Sequence, residues 1–259
     1  MLKPGRYYQA VYILAAKDLK QRTSGSYLGW LWLMIEPAAM LVIYTFVFGF
    51  LLKVRFDSGG GTDNFTLNLM AALIPFTAFR EAVERSTSSL TSNRDLIQRV
   101  VFPPLLLPVV ISVTSLFTEL LGLILIVIAV ALMGVEVSIW IFMFPLLMLT
   151  RLLLNLGIGW LLSILNVFFR DLGQMIGILM TVIFFSTPII YPSAVVPPDW
   201  RWVFELNPFY YLVSAYRAIF IHGSPPESGF YVVMVLSIVV ASLGLLFFGK
   251  TIDRAKDLL

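Results

Sequence analysis

Chemistry at neutral pH needs a base, a nucleophile or a metal ligand, and this chain has few of any. Its 259 residues contain no cysteine and one histidine, His222, which excludes a thiolate nucleophile, a disulfide framework and a sulfur- or histidine-built metal cluster. No GxxxxGK(S/T) phosphate loop occurs, so the chain does not hydrolyse ATP by itself; Gly59-Gly60-Gly61-Thr62 lacks the lysine and reads as a flexible turn. HExxH and GxSxG are absent, and His222, beside Gly223 and Pro225, reads as a turn residue. There are no catalytic candidates and no metal ligands. What stands out is three charges inside long apolar runs: Glu36, Glu119 and Arg151. Each costs about 2.5 to 3.5 kcal/mol at mid-bilayer unless it finds a partner or water. Glu119 lies 15 residues past Pro104 and Arg151 lies 19 residues before Arg170. Helical rise puts them about 22 and 28 Å from the same membrane surface. An extended arginine bridges that difference, so the two are predicted to pair, either to set helix register or as part of a polar pathway. Glu36, just before Pro37, is either an acidic group near a portal or a hydrated charge ending a proline-kinked helix.

These charges need apolar elements around them, and the composition supplies them. With 59% hydrophobic and 13% charged residues and a mean hydropathy of +0.91, a soluble enzyme is excluded. The expected fold is an all-α polytopic membrane protein with six transmembrane helices at about 31–52, 65–86, 104–134, 138–169, 172–190 and 230–249. The second is the least apolar. It ends in Arg80, Glu81, Glu84 and Arg85, whose four-residue spacings predict a charged, ion-paired continuation. The third and fourth exceed the roughly 20 residues a bilayer needs, so they tilt or protrude. Pro188, Pro192, Pro197 and Pro198 end the fifth.

Residues 1–29 carry Lys3, Arg6, Lys17, Lys20 and Arg22 without a long apolar run, so they are no cleavable leader. Tyr8, Val11, Tyr12, Ala15 and Leu19 recur at helical spacing, describing an amphipathic helix on a membrane surface. Residues 191–229 are rich in Trp, Tyr and Phe and broken at Asn207-Pro208 and Pro225-Pro226, which predicts re-entrant external helices between helices 5 and 6. With both termini cytoplasmic, 13 of the 18 Lys and Arg lie inside; Lys53, Arg55, Arg201 and Arg217 lie outside, and Arg151 within the membrane. That bias favours this orientation.

Ser24-Gly25-Ser26-Tyr27-Leu28-Gly29-Trp30-Leu31-Trp32 followed by Glu36-Pro37 resembles the RY..S.LG.LW...P entry to the first helix of permease subunits of type-2 ATP-binding-cassette exporters, the polysaccharide exporters in particular. The segment from Ser88-Ser89-Leu90 through Asn93, Leu96-Ile97, Val100 and Phe102-Pro103 to Leu107-Pro108 resembles that family's link between helices two and three. Phe169-Arg170-Asp171 resembles its FRD turn before helix five. Thr187-Pro188-Ile189-Ile190-Tyr191 and Asn207-Pro208 followed by Arg217 resemble its external re-entrant region. The chain departs from the pattern at Arg22-Thr23-Ser24-Gly25 and in the charges from Arg80 to Arg85.

The resemblance implies a homodimer bound to two copies of a separate cytoplasmic ATPase, which would bind ATP and Mg. This chain would need no cofactor and no nucleic acid. The cargo would be a lipid-linked polysaccharide such as O-antigen, capsule or teichoic acid, crossing a bacterial inner (cytoplasmic) membrane. Residues 1–29 and the coupling segment 87–102 would dock on the ATPase. Tyr12, Lys17, Asn93, Arg94, Asp95 and Arg99 would supply polar contacts there, with Leu96 and Ile97 filling a groove. Arg170 and Asp171 would form the cytoplasmic turn. The path would run between the two copies along helices one and five. Tyr44, Phe48, Tyr191, Tyr210 and Tyr211 are either its aromatic platforms or lipid-belt and packing residues, and Pro188 and Ile189 would mark an external gate. The alternatives are a secondary transporter or channel acting alone, a membrane-embedded transferase, and a small-molecule or drug exporter of the same fold. Against the first stands the single deep carboxylate, Glu119, without an internal repeat.

Overall fold

A computed structural model of the chain describes residues 4–23, 29–56, 64–99, 102–134 and 137–259. Among the described residues all regular structure is helical. α1 (Pro4–Thr23) precedes α2 (Trp32–Tyr44), which widens into a π-helical turn at Thr45–Leu51. α3 (Phe65–Thr87) leads through the short α4 (Ser89–Ser92) and α5 (Arg94–Arg99) into α6 (Leu106–Leu132). Then follow α7 (Phe144–Phe168), α8 (Leu172–Phe185), the short α9 (Arg201–Glu205), α10 (Pro208–Arg217) and the long α11 (Ser228–Lys256). The interface helix therefore stops at Thr23, within the expected 1–29, and residues 24–28 lie outside the described residues.

α6, the stretch Ile139–Phe168 and α11 are each long and apolar enough to cross a membrane on length and composition alone. α3 is not among them, and its surroundings explain why. Leu67, Leu69, Ala71, Ala72, Phe76, Ala78 and Val83 are all buried within a single chain, on every face of the helix. α6, α7, α8 and α10 wall it in. A helix facing protein instead of lipid has no need of uniform greasiness, and its small residues let neighbours approach. Its start is fixed locally, where the Asn64 side chain accepts the Leu67 N–H at 3.2 Å.

The tightest crossing joins α7 to α11. A Cβ on Gly157 would lie 2.4 Å from the Val240 carbonyl oxygen, and one on Gly244 would lie 2.3 Å from the Gly157 oxygen. Only glycine lets these two backbones touch. α11 also outruns the expected span 230–249, because its last turns carry polar residues that stay helical, with Lys256 paired to Asp253 at 3.0 Å.

The fifth helix differs in the opposite direction. It ends at Phe185, short of the expected 190. The Thr187 hydroxyl donates to the Ile183 carbonyl at 2.7 Å, satisfying a group the broken helix leaves open. Pro188 has no N–H with which to continue the helix. Its 14 residues rise only about 21 Å, less than the roughly 30 Å hydrocarbon core. At that length the regular helix does not by itself cross the core.

Candidate functional site

The two deep charges meet. Arg151 on α7 donates from Nε to Glu119 Oε2 on α6 at 2.8 Å, its Nη2 lies 2.7 Å from the same oxygen, and its Nη1 donates to Ser115 Oγ at 3.3 Å. Both side chains are fully buried. The other carboxylate oxygen, Oε1, accepts the hydroxyl of Tyr216 on α10. Sequence reasoning missed Tyr216, which stands in a region placed outside the membrane. The only available signal was an isolated polar-tipped aromatic in an apolar helix, which does not reveal its partner. The helix dips inward: Phe209 packs on Phe76 and Phe79 with ring centroids 5.3 and 4.7 Å apart, half-way along α3.

A second cluster grips an adjacent face of α6. Arg22 at the end of α1 donates to Thr114 Oγ1 at 3.0 Å and Thr118 Oγ1 at 3.3 Å, and pairs with Asp18 at 3.1 Å and with Glu81. Arg85 bonds to Asp18 and, at 3.2 Å, to Glu81; Arg80 pairs with Glu84 at 2.8 Å. Of the charges that set the second span apart in sequence, Glu81 and Arg85 thus attach it to the interface helix, while Arg80 and Glu84 pair within α3. Part of the polar side of α1 turns inward, while Tyr8 and Tyr12 stay 79% and 76% exposed, as an apolar face against lipid requires. Reversing Arg85 to glutamate sets a third carboxylate beside Asp18 and Glu81. Local opening of α1 is expected to rise about tenfold, near 1.4 kcal/mol, read as lost amide-exchange protection across residues 4–23. Unchanged protection would contradict this attachment.

At the fifth helix break, Asn207 Nδ2 donates to Thr187 Oγ1 at 2.8 Å while its Oδ1 caps α10 at the Phe209 N–H, 2.9 Å away. Arg217 closes the region from the other end of α10. Its Nη2 donates to the Ile189 carbonyl at 2.9 Å and its Nε to the Asn68 carbonyl at 3.2 Å, with its guanidinium 4.6 Å from the Phe56 ring centroid. The ends of helices one, two and five converge on this one buried cation. Pro188 and Ile189 are buried in the turn, and Tyr191 donates to the Phe185 carbonyl.

The expected aromatic platforms fall into separate groups. Tyr44 packs against Phe48 and Phe184 at 6.1 and 6.0 Å between helices one and five. Tyr210 and Tyr211 stand edge to face at 5.1 Å on α10.

The coupling segment is split by its packing. Leu96 and Ile97 lean on a small core with Leu107, Trp160 and Phe248, so they hold the segment to the bundle instead of standing free to fill a partner's groove. Asn93 turns back to the Ser89 carbonyl at 2.9 Å. Asn93 and Leu96 line a cavity of about 280 Å³ with Leu14, Lys17 and Gln21 of α1. Arg94 lines another, with Arg170. Arg94, Asp95, Arg170 and Asp171 are exposed. The Glu36 and Arg99 side chains lie outside the described residues, as do Val100 and Val101.

Among the described residues the chain is a bundle of apolar helices tied together by buried and half-buried ionic clusters. The profile of the ABC-2 type transporter family matches residues 9–221, and the chain belongs to that family of membrane proteins. The chain is 27% identical over 256 residues to an O-antigen export system permease protein, RfbA, of Klebsiella pneumoniae, covering 98% of this chain and 96% of the relative. It is 29% identical over 229 residues to the protein of the same name in Myxococcus xanthus, with 86% and 84% covered. With the polysialic acid transport protein KpsM of Escherichia coli the identity is 24% over 261 residues, covering 99% and 98%.

Proposed function

We propose that two copies of this chain form the transmembrane part of an exporter that moves a lipid-linked polysaccharide across the bacterial inner membrane, driven by two copies of a separate cytoplasmic ATPase. The reading is carried by one observation: near end-to-end similarity to permeases named for O-antigen export and polysialic acid transport. Both termini face the cytoplasm in six-span topology. The 280 Å³ cavity between α1 and the coupling segment seats the ATPase, with Lys17 and Asn93 on its rim and Tyr12 in the adjoining interface.

The geometry suggests how force would travel. α1 is tied to α6 through Arg22, and α6 is tied on an adjacent face to α10 through Glu119 and Tyr216. Closure of the ATPases would pull α1, shift α6 and, through the triad, move the re-entrant helix whose Asn207 and Arg217 hold the break after helix five. The cargo would pass between copies along Tyr44 and Phe48, with Pro188 and Ile189 as gate and Tyr191, Tyr210 and Tyr211 on its outer wall. Exposed Val42, Ile43 and Phe46 on the first helix and Ile178 and Val182 on the fifth supply apolar faces for the second copy.

The test is reconstitution with a cognate ATP-binding-cassette ATPase. Polysaccharide is expected to reach the vesicle lumen only with the ATPase and ATP present. Transport by the purified chain alone, or export of a small hydrophobic compound with no polysaccharide moved, would reject the proposal.

A further inference from the structure

We infer that a notch between Arg94 and Arg170 binds the phosphate of an anionic lipid at the cytoplasmic surface. The inference rests on the topology proposed above only for the leaflet, not for the binding itself. Three segments far apart in the chain enclose a cavity of about 390 Å³: Thr91 and Arg94 from the coupling segment, Asn166, Val167 and Arg170 at the end of α7, and Leu258 and Leu259 at the chain's end. Both arginines are exposed. Among the described residues neither has a hydrogen bond or an ion pair, whereas Asp95, the acid next to Arg94, already has a partner. Two unpaired guanidinium groups facing one cavity repel each other until an anion sits between them, and their planar forks match phosphate oxygens.

The walls are fixed. Asn166 is 5% exposed. Its Nδ2 donates to Thr91 Oγ1 at 3.3 Å and its Oδ1 accepts the Gly173 N–H at 3.2 Å, tying α4, α7 and α8 together under the notch. Phe168 and Phe169, immediately before Arg170, are 39% and 66% exposed and form an apolar belt beside the notch that acyl chains would cover. Val167 and Leu258 give the cavity an apolar side suited to a glycerol and the first acyl carbons. Basic pockets between helix ends on the cytoplasmic side are where anionic headgroups lodge. The exposed aromatics favour lipid over an acidic side chain of the ATPase, which would need no such belt.

The purified full-length chain, exchanged into detergent with equimolar phosphatidylglycerol and phosphatidylcholine, is analysed by native mass spectrometry. Phosphatidylglycerol is expected to be retained over phosphatidylcholine. Arg94→Ala/Arg170→Ala should retain at least tenfold less of it, while Lys250→Ala/Arg254→Ala, which removes two basic residues of α11 outside the notch, retains the wild-type amount. Should the double variant elute as aggregate, Arg170→Ala alone is read the same way, with at least a threefold loss expected. A polyprenyl diphosphate that displaces phosphatidylglycerol from the wild type and fails to bind the variant would support the site and assign the phosphate to the carried lipid; no displacement assigns it to bulk phospholipid. Equal retention by the double variant, equal loss in the Lys250/Arg254 control, or equal retention of phosphatidylcholine overturns the inference. So does a double variant that keeps its lipid but no longer holds the ATPase. Because retention is read without ATPase or cargo, failure of the export reading leaves this result interpretable.

Discussion

Glu119→Leu is expected to destabilise the folded chain by about 3 to 5 kcal/mol, because it leaves the Arg151 charge buried without a partner. Arg151→Met strands Glu119 in the same way. Combined, the two should cost far less than their sum, with a coupling energy of at least about 2 kcal/mol in a double-mutant cycle. What remains is the Tyr216 hydroxyl, about 1 to 3 kcal/mol when left unsatisfied, since the Ser115 hydroxyl still donates to the Ser112 carbonyl at 2.8 Å. Adding Tyr216→Phe to the pair therefore recovers part of the loss. Equilibrium unfolding in mixed micelles checks this, and additive single effects would show that the charges do not depend on each other. The triple variant also separates two roles for the triad. If it only sets helix register, the folded triple variant still exports; if it carries motion from α6 to the re-entrant helix, it folds and does not export.

The second large effect belongs to the α7–α11 crossing. Gly157→Ala places a methyl 2.4 Å from the Val240 carbonyl oxygen and 2.7 Å from the Ala241 nitrogen. Those are backbone atoms of a packed helix and cannot swing aside, so the cost is expected at the top of the overpacking range, about 3 kcal/mol. Gly244→Ala should behave alike. Gly249→Ala, on the same helix with nothing within 4 Å of its added Cβ, should instead gain up to about 1 kcal/mol of helix stability. Thermal unfolding of the three variants in one detergent makes the comparison. Equal melting temperatures would mean that the two helices do not touch at Gly157.

Much of the helical layout was readable because hydrophobic runs report lipid contact directly. The errors came where that link breaks. α3 looked weak because it faces protein, not acyl chains. α8 was expected to run to about residue 190 with Pro188 among the residues that end it, but the Ser186 and Thr187 hydroxyls turn back to the Ile183 carbonyl and the helix stops at Phe185. Arg80 to Arg85 looked like a departure from the family pattern until Asp18 and Arg22 were seen against Arg85 and Glu81.

The sequence by itself determined that this is a helical membrane chain without a GxxxxGK(S/T) phosphate loop, in the family its motifs suggested, and that Glu119 and Arg151 had to find a polar solution. Length, hydropathy and the cost of burying charge suffice for those conclusions, since each depends on one segment at a time. Only the tertiary structure decided that Tyr216 completes the pair, that Arg22 holds an adjacent face of the same helix, and that Arg94 and Arg170 share a cavity. These contacts join residues 97, 96 and 76 positions apart. Such partners are selected by how helices pack and cross, and periodicity along a single helix carries no record of that.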